Sequence, residues 1–219
     1  MAGGETVVDS KYANAYERGR LRVIESLIPS GGQEALDVGC GSGLISEMMS
    51  ERGWAVTAVD LDYGNVQRAR PRACSAIQGE AASVCRGFEP GQFEFICALE
   101  IIEHVTEVEG DELLQQCRRI AAPDAHMLLS TPNRMSPEGL YGYYYLERIR
   151  GHKFNAWDAD HEHVYSSVEV LRKLQMAGWQ PEKIVGYYYG GVVSLPITSA
   201  EVFPLNMLGF NTLILNRAA

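Results

Sequence analysis

The chain has no two cysteines at redox or metal-ligand spacing. Its five, Cys40, Cys74, Cys85, Cys97 and Cys117, are odd in number and scattered, which argues against a disulfide framework and a zinc knuckle. No uninterrupted apolar run approaches the roughly 20 residues that span a bilayer. The opening Met-Ala-Gly-Gly-Glu-Thr has no charged region leading into an apolar one. A reduced, cytoplasmic setting without a membrane span is therefore expected. Positive charge is also short: 19 Lys and Arg against 28 Asp and Glu leave a net charge of −9. Such a balance offers no global electrostatic footprint for nucleic acid or an anionic membrane. No repeat or low-complexity tract interrupts the chain. What remains is 219 residues, 46% of them hydrophobic, enough for one domain with a real core.

One stretch organises the rest, Glu34-Ala-Leu-Asp-Val-Gly-Cys-Gly-Ser-Gly-Leu44. It reads as a short buried strand running into glycines at alternate positions, Gly39, Gly41 and Gly43, with a helix from Leu44 to about Arg52. Glycines packed this closely after a strand permit a sharp turn and let a ligand approach without meeting a Cβ.

Before it, residues 1–11 read as a loose arm and Tyr12 to Ile28 as a helix stopped by Pro29-Ser-Gly-Gly32. After it, strands are expected at Trp54–Val59 (ending on Asp60), Ala73–Gln78, Phe93–Leu99 and His126–Ser130. Helices fall between them at Asn65–Arg70, at residues 81–86 and through Leu113, Leu114, Cys117 and Ile120. This alternation predicts an α/β fold, a doubly wound, mostly parallel sheet with helices on both faces. From Arg134 to His161 the pattern breaks into a Tyr-rich stretch too long for an ordinary connection, read as a helical or loop insertion over a site. A helix over Ser166–Ala177 and strands near Lys183–Tyr189 and Leu208–Asn216 complete the chain, ending on an antiparallel edge strand. The predicted single domain thus divides into an arm and helix (1–32), a binding core (33–131), the insertion (132–163) and a C-terminal helix with strands (164–219).

The glycine spacing selects the ligand. A dinucleotide turn is G-x-G-x-x-G, its third glycine packing the helix beside a pyrophosphate. Here Leu44 stands in that place, and Asp37 precedes the turn, where it would face a cation better than a pyrophosphate. Asp60 ends the second strand and can accept from both ribose hydroxyls; Glu80 ends the third and could reach an adenine amino group, or simply start a helix. An ammonium, a ribose and an adenine without phosphates describe S-adenosylmethionine (SAM).

Leu36-Asp-Val-Gly-Cys-Gly-Ser-Gly43, Val59-Asp60, Gly79-Glu80-Ala81 and Phe93–Glu100 resemble, in order, the successive motifs of class I SAM-dependent methyltransferases. The resemblance covers roughly residues 33–131 and implies a seven-stranded sheet with SAM across the strands' carboxyl ends. It implies a cofactor held by Asp37, Gly39, Cys40, Gly41, Gly43, Asp60, Leu61, Glu80, Ala81 and Leu99.

The acceptor side begins at Glu100-Ile-Ile-Glu103-His104-Val105. If helical, it puts Glu100, Glu103 and His104 on one side. Two chemistries stay open. His104, seconded by Glu103, could be a general base for an acceptor hydroxyl. Alternatively, Glu100, Glu103 and His104 could hold a divalent cation (Mg, Mn, Zn or Fe), completed from Asp160-His161-Glu162-His163. Glu-x-x-Glu-His, then Thr-Pro-Asn and a downstream histidine, is similar to ubiquinone-biosynthesis O-methyltransferases and to small-RNA 3′-terminal 2′-O-methyltransferases. The resemblance implies a metal at Glu100, Glu103, His104 and His163, with His161 as the other choice. His126 and His152 read as structural or surface residues, Arg148 and Arg150 as exposed, and most of Tyr141, Tyr143, Tyr144, Tyr145, Tyr187, Tyr188 and Tyr189 as ordinary core or surface tyrosines.

The leading expectation is O-methylation of a small hydroxylated molecule. RNA 2′-O-methylation, disfavoured by the acidic balance, and a non-catalytic SAM-binding subunit follow. A small-molecule acceptor is the expected partner, nucleic acid is not, and a homodimer is compatible with the sequence.

Overall fold

The computed structural model describes residues 15–152, 158, 160–187 and 211–218. The expected arm (1–11), the Pro-bearing loop before the last strand, Tyr188 and Tyr189 lie outside the described residues. For Tyr187 only the backbone is described.

Helix α1 (Ala15–Leu27) leads into β1 (Glu34–Val38), α2 (Leu44–Glu51), β2 (Ala55–Asp60), α3 (Tyr63–Ala69), β3 (Ser75–Gln78), α4 (Ala81–Arg86) and β4 (Phe93–Leu99). A 3₁₀ turn (Ile102–His104), α5 (Glu107–Ile120) and β5 (Ala121–Pro132) follow. Then come α6 (Pro137–Leu140), a π-helical segment (Tyr141–Glu147), α7 (Ser167–Met176), β6 (Trp179–Tyr187) and β7 (Asn211–Ala218). The seven strands run in the order β3-β2-β1-β4-β5-β7-β6. The first five are parallel, and β7 pairs antiparallel with both β5 and β6, one place in from the edge.

Alternation along the central strands fills both faces. Leu36, Ile96 and Met127 join α5 and α7 in one core with Leu113, Leu114, Val170 and Leu174. Their neighbours Ala35, Phe95, Cys97 and Leu128 join the other core, with Ile24 and Leu27 of α1 and Met49 of α2. Strands buried on both sides are what a parallel sheet requires. The chain order reverses between β1 and β4, and a crevice opens there at the carboxyl ends, where ligands of such sheets bind.

The helix starts are written locally. Asp62 accepts from Asn65 N at 2.8 Å to start α3, and Thr106 and Ser166 form capping boxes with Glu109 and Glu169 to start α5 and α7.

One open choice is settled and two expectations change. Residues 137–147, in the insertion left open between helix and loop, are helical, with Ser136 capping α6 and the chain widening into the π segment over the tyrosines. β5 begins at Ala121, five residues before the expected start at His126, because α5 passes straight into the strand at its last turn and the extra residues are absorbed by a bulge opposite Phe93 and Phe95. Glu100–Val105 is not a helix: Glu100 takes a left-handed φ of 52° and only Ile102–His104 makes a 3₁₀ turn.

Candidate active site

The glycine turn divides its labour. Gly39 N and Cys40 N both donate to Val59 O, at 2.8 and 3.0 Å, tying the turn to β2. All three glycines have positive φ: 70° at Gly39, 53° at Gly41 and 81° at Gly43. A Cβ on Gly39 would come within 2.9 Å of Ile101 Cδ1, and one on Gly43 within 2.6 Å of Ala69 Cα; on Gly41 it would meet no atom within 4 Å. Gly39 and Gly43 are therefore packing glycines, and Gly41 faces open space.

That space is a crevice. One part, of about 710 Å³, is lined by Gly41, Asp60, Leu61, Gly79, Glu80, Ala81, Ile101 and His104 among others. The other, of about 380 Å³, is lined by Asp37, Cys40, Leu44 and Leu99, and by Arg20 and Leu21 from α1. Gly39, Gly41 and Glu100 border both, so the two parts meet at the turn. Apart from Gly43, which packs on α3, the residues expected to hold the cofactor line this crevice.

Asp60 is held in position: its Oδ2 accepts from Gly41 N at 2.8 Å, and its Oδ1 from Asp62 N at 2.9 Å and Asn65 Nδ2 at 3.0 Å. A carboxylate has about four acceptor sites, so capacity for a ribose hydroxyl remains. Glu80 caps α4, accepting from Ala82 N and Ser83 N at 2.7 Å each. Partial burial pushes its carboxyl up, but these hydrogen bonds and Arg86 outweigh it and hold the group below the usual carboxylate range. The helix-start reading of Glu80 is thus realised, with the residue still on the crevice wall. Asp37 is buried, with Ser46 Oγ donating to its Oδ2 at 2.6 Å. Burial lifts its pKa to about 6, with Ser46 pulling down and Asp60 pushing up. Burial, with Asp37 and Asp60 nearby, pushes the Cys40 thiol up to about 12, so it is a neutral wall.

Beyond β4 the chain builds a second centre. Glu103 is 0% exposed; its Oε2 accepts from Thr131 Oγ1 at 3.0 Å, while its Oε1 is buried with no hydrogen-bond partner among the described residues. Burial, and then the charge of Glu100, push this carboxyl well above the usual range, against Thr131 and Arg20. Glu103, His104 and His161 each offer a ligand atom, and these atoms lie within 4.8 Å of one another. The imidazoles of His104 and His161 meet edge to face with centroids 4.7 Å apart. His104 Nδ1 is 3.3 Å from Asp160 O.

Two expected members are elsewhere. Glu100, turned by its left-handed backbone, accepts from Ser130 Oγ and from Asn211 Nδ2, the latter at 2.6 Å, and borders the cofactor crevice. His163 is not in the group: its Nδ1 is 3.5 Å from Glu107 Oε1 and its ring lies on Tyr165. The choice between the two histidines falls to His161 because Glu162 N and His163 N both donate to Glu103 O, which sets the register of the segment. A small cavity of about 120 Å³ opens beside His161, walled by Arg134, Tyr143, Glu147 and His163. Of the insertion's tyrosines only Tyr143 lines it; Tyr141, Tyr144 and Tyr145 are exposed. His126 pairs with Glu182 at the surface, and Arg148 is exposed near the ring of Tyr143. Sequence reasoning missed Arg20 and Asn211, and had Thr131 only within the Thr-Pro-Asn motif, without a role. Thr131 and Asn211 sit buried near strand ends, where they donate to Glu103 and Glu100, partners readable only once β5 and β7 are paired.

A mostly parallel seven-stranded sheet with a glycine turn over a crevice at β1 and β4 defines a class I methyltransferase. The comparisons agree: residues 9–184 match the family described as methyltransferase domain, and the chain belongs to it. It is similar to the ubiquinone biosynthesis O-methyltransferase of Dechloromonas aromatica, 29% identical over 188 residues, covering 83% of this chain and 80% of that one. The protein of that name from Idiomarina loihiensis is 28% identical over 180 residues, covering 78% and 71%. Among solved structures, SAM-dependent methyltransferases of Thermotoga maritima (a possible histamine N-methyltransferase) and Archaeoglobus fulgidus each superpose with a TM-score of 0.70 at 18% identity. They cover 95% and 96% of this chain, and 97% and 98% of their own. The chain is a SAM-dependent methyltransferase.

Proposed function

We propose that the enzyme methylates a hydroxyl oxygen of a small molecule, with a divalent cation held by Glu103, His104 and His161 lowering the hydroxyl's pKa; without a cation, the free Nε2 of His104 would be the proton acceptor. The observation that carries the reading is Glu103 Oε1, a buried carboxyl oxygen with no hydrogen-bond partner among the described residues, grouped with two imidazoles. Leaving a buried acceptor unpaired costs about 1–3 kcal/mol, so a group that supplies positive charge there fits the donor set. Bound, such a cation would orient the acceptor and lower the pKa of its hydroxyl. One carboxylate and two imidazoles suit manganese, iron or zinc better than magnesium. Relatives named ubiquinone biosynthesis O-methyltransferases support oxygen as the acceptor atom and a small molecule as the acceptor.

The chain's own residues have separable tasks in this reading. Asp37 faces the cofactor's ammonium, Asp60 its ribose, and Ala81 with Glu80 its adenine. Thr131 fixes one oxygen of Glu103. A proton on His104 Nδ1 directed at Asp160 O leaves Nε2 with its lone pair for a ligand or a proton. Glu100, held by Ser130 and Asn211 between the two halves of the crevice, sets where the acceptor can approach. Positioning of this kind carries most of the rate in such a transfer.

The test is release of S-adenosylhomocysteine with a panel of catechols and phenols, before and after chelation by EDTA. Activity is expected to fall on chelation and to return with manganese or zinc, and His161→Ala should lose it at least 100-fold. Full turnover in EDTA would remove the cation and leave His104 as base alone.

A further inference from the structure

His161 rides on residues 160–165, which form no helix or strand and so take no position from a ladder. Two backbone donors, Glu162 N and His163 N, reach Glu103 O at 2.8 and 3.2 Å, and Arg134 N donates to Tyr165 O at 2.8 Å. Between these ties the side chain of His163 reaches out to α5. Its Nδ1 lies 3.5 Å from Glu107 Oε1. Glu107 Oε2 is 3.5 Å from Lys173 Nζ of α7, which in turn donates to Asp111 Oδ1 at 2.8 Å. The imidazole lies on Tyr165, centroids 4.4 Å apart, and Lys173 Nζ is 5.5 Å from the centroid of the same ring. Tyr165 itself is buried in the core. The segment, α5 and α7 are thus joined through His163.

We infer that His163, through Glu107, is a positioning residue that clasps residues 160–165 against α5 and α7 and so keeps His161 beside Glu103 and His104. The role in metal binding rests on the cation site proposed above; the clasp itself does not. Outer partners of metal ligands act in this way, and their loss typically costs 10–100-fold in metal affinity.

The experiment has two arms on the full chain. In the metal-free enzyme, amide exchange reads local opening. His163→Ala and Glu107→Gln should speed exchange at Glu162 at least tenfold and leave the middle of α5 unchanged. His163→Asn, whose amide nitrogen can stand where Nδ1 does, should stay within threefold of the parent. In the second arm manganese(II) is titrated calorimetrically. His163→Ala should bind 10–100-fold more weakly but still at one site, with His163→Asn restoring most of the affinity, whereas His161→Ala should abolish binding. Unchanged exchange at Glu162 in both His163→Ala and Glu107→Gln overturns the clasp. So does loss of all manganese binding in His163→Ala with normal exchange, the mark of a ligand. If the parent enzyme takes no manganese, the cation reading falls and exchange alone decides: tenfold acceleration keeps the clasp, no change ends it. Should His163→Ala lose protection throughout α5, Glu107→Gln and His163→Asn decide on the same criteria.

Discussion

At the scale of a single residue, Asp37 carries the most consequence. Its pKa rises from 3.8 to about 6 in the cofactor-free protein, because burial disfavours the carboxylate more than Ser46 can compensate. The folded chain therefore holds this proton more tightly than the unfolded one. Below pH 3.8 both states are protonated; as pH rises through about 6 the folded state must ionise a buried group and loses stability, by about 3 kcal/mol in total. Asp37→Asn should raise the melting temperature of the cofactor-free enzyme at pH 7.5 and leave it nearly unchanged at pH 4. Binding of a cationic ligand has the opposite sign, since an ionised Asp37 attracts an ammonium. SAM affinity should climb as pH passes from 5 to 7.5, as read by calorimetric titration. An affinity independent of pH over that range would sink the placement of Asp37 against the ammonium.

At the scale of elements, the strand–turn–helix of β1 and α2 was legible in the sequence because its main signals are local: a buried strand with Asp37 in it, then glycines at alternate positions. What each glycine does was not legible, since it depends on neighbours far along the chain, Ala69 behind Gly43 and Ile101 over Gly39. This yields a paired prediction. Gly43→Ala forces a Cβ to 2.6 Å from Ala69 Cα at a φ of 81°, and such overpacking costs about 1–3 kcal/mol; it should lower stability in urea melts. Gly41→Ala meets nothing and should cost only about 1 kcal/mol for its left-handed backbone, yet weaken SAM binding by placing a methyl in the crevice. Equal losses of stability in the two variants would contradict this division. The turn that follows β4 was misread for a related reason. The spacing of Glu100, Glu103 and His104 permits a helix, but Glu100 N continues the ladder to Ser130 O. Its left-handed φ then sends the carboxylate toward β5 and β7, away from Glu103's group. Thr106 ends that turn by capping α5, with Glu109 Oε2 accepting from Thr106 N at 2.9 Å. Thr106→Ala should cost about 1 kcal/mol of stability, measured by the same melts.

At the scale of the whole molecule, the site is a meeting of distant pieces, which sets the limit on what a linear reading finds. The motifs expected to hold the cofactor follow each strand in turn along residues 33–131, and their residues other than Gly43 line one crevice. The acceptor side draws Glu103 from one turn, His161 from a segment after the insertion, and Asn211 from the last strand. The pairing of β7 with β5 brings Asn211 to this end of the sheet, and the bonds from Glu162 N and His163 N to Glu103 O bring His161. Arg20 belongs to the same category. Its helix reads from sequence as a simple amphipathic cover, and its apolar side does pack as one, through Ile24 and Leu27. The turn before them places Arg20 and Leu21 on the wall of the part of the crevice that Asp37 also lines. A cation from α1 and an acid from β1 line one cavity; if that cavity takes the amino-acid end of SAM, as proposed, the helix closes the site as well as covering the sheet. Two consequences can be measured together. Arg20→Ala should weaken SAM by about 1.5–3 kcal/mol, the range for a hydrogen bond to a charged group. Saturating SAM should also slow amide exchange in α1 more than in α5, because ligand at 100 times its Kd adds about 2.7 kcal/mol to whatever opening releases it. Slowing confined to α2 and β2, with α1 unaffected, would mean that the helix only covers the sheet and that Arg20 plays no part in holding the cofactor.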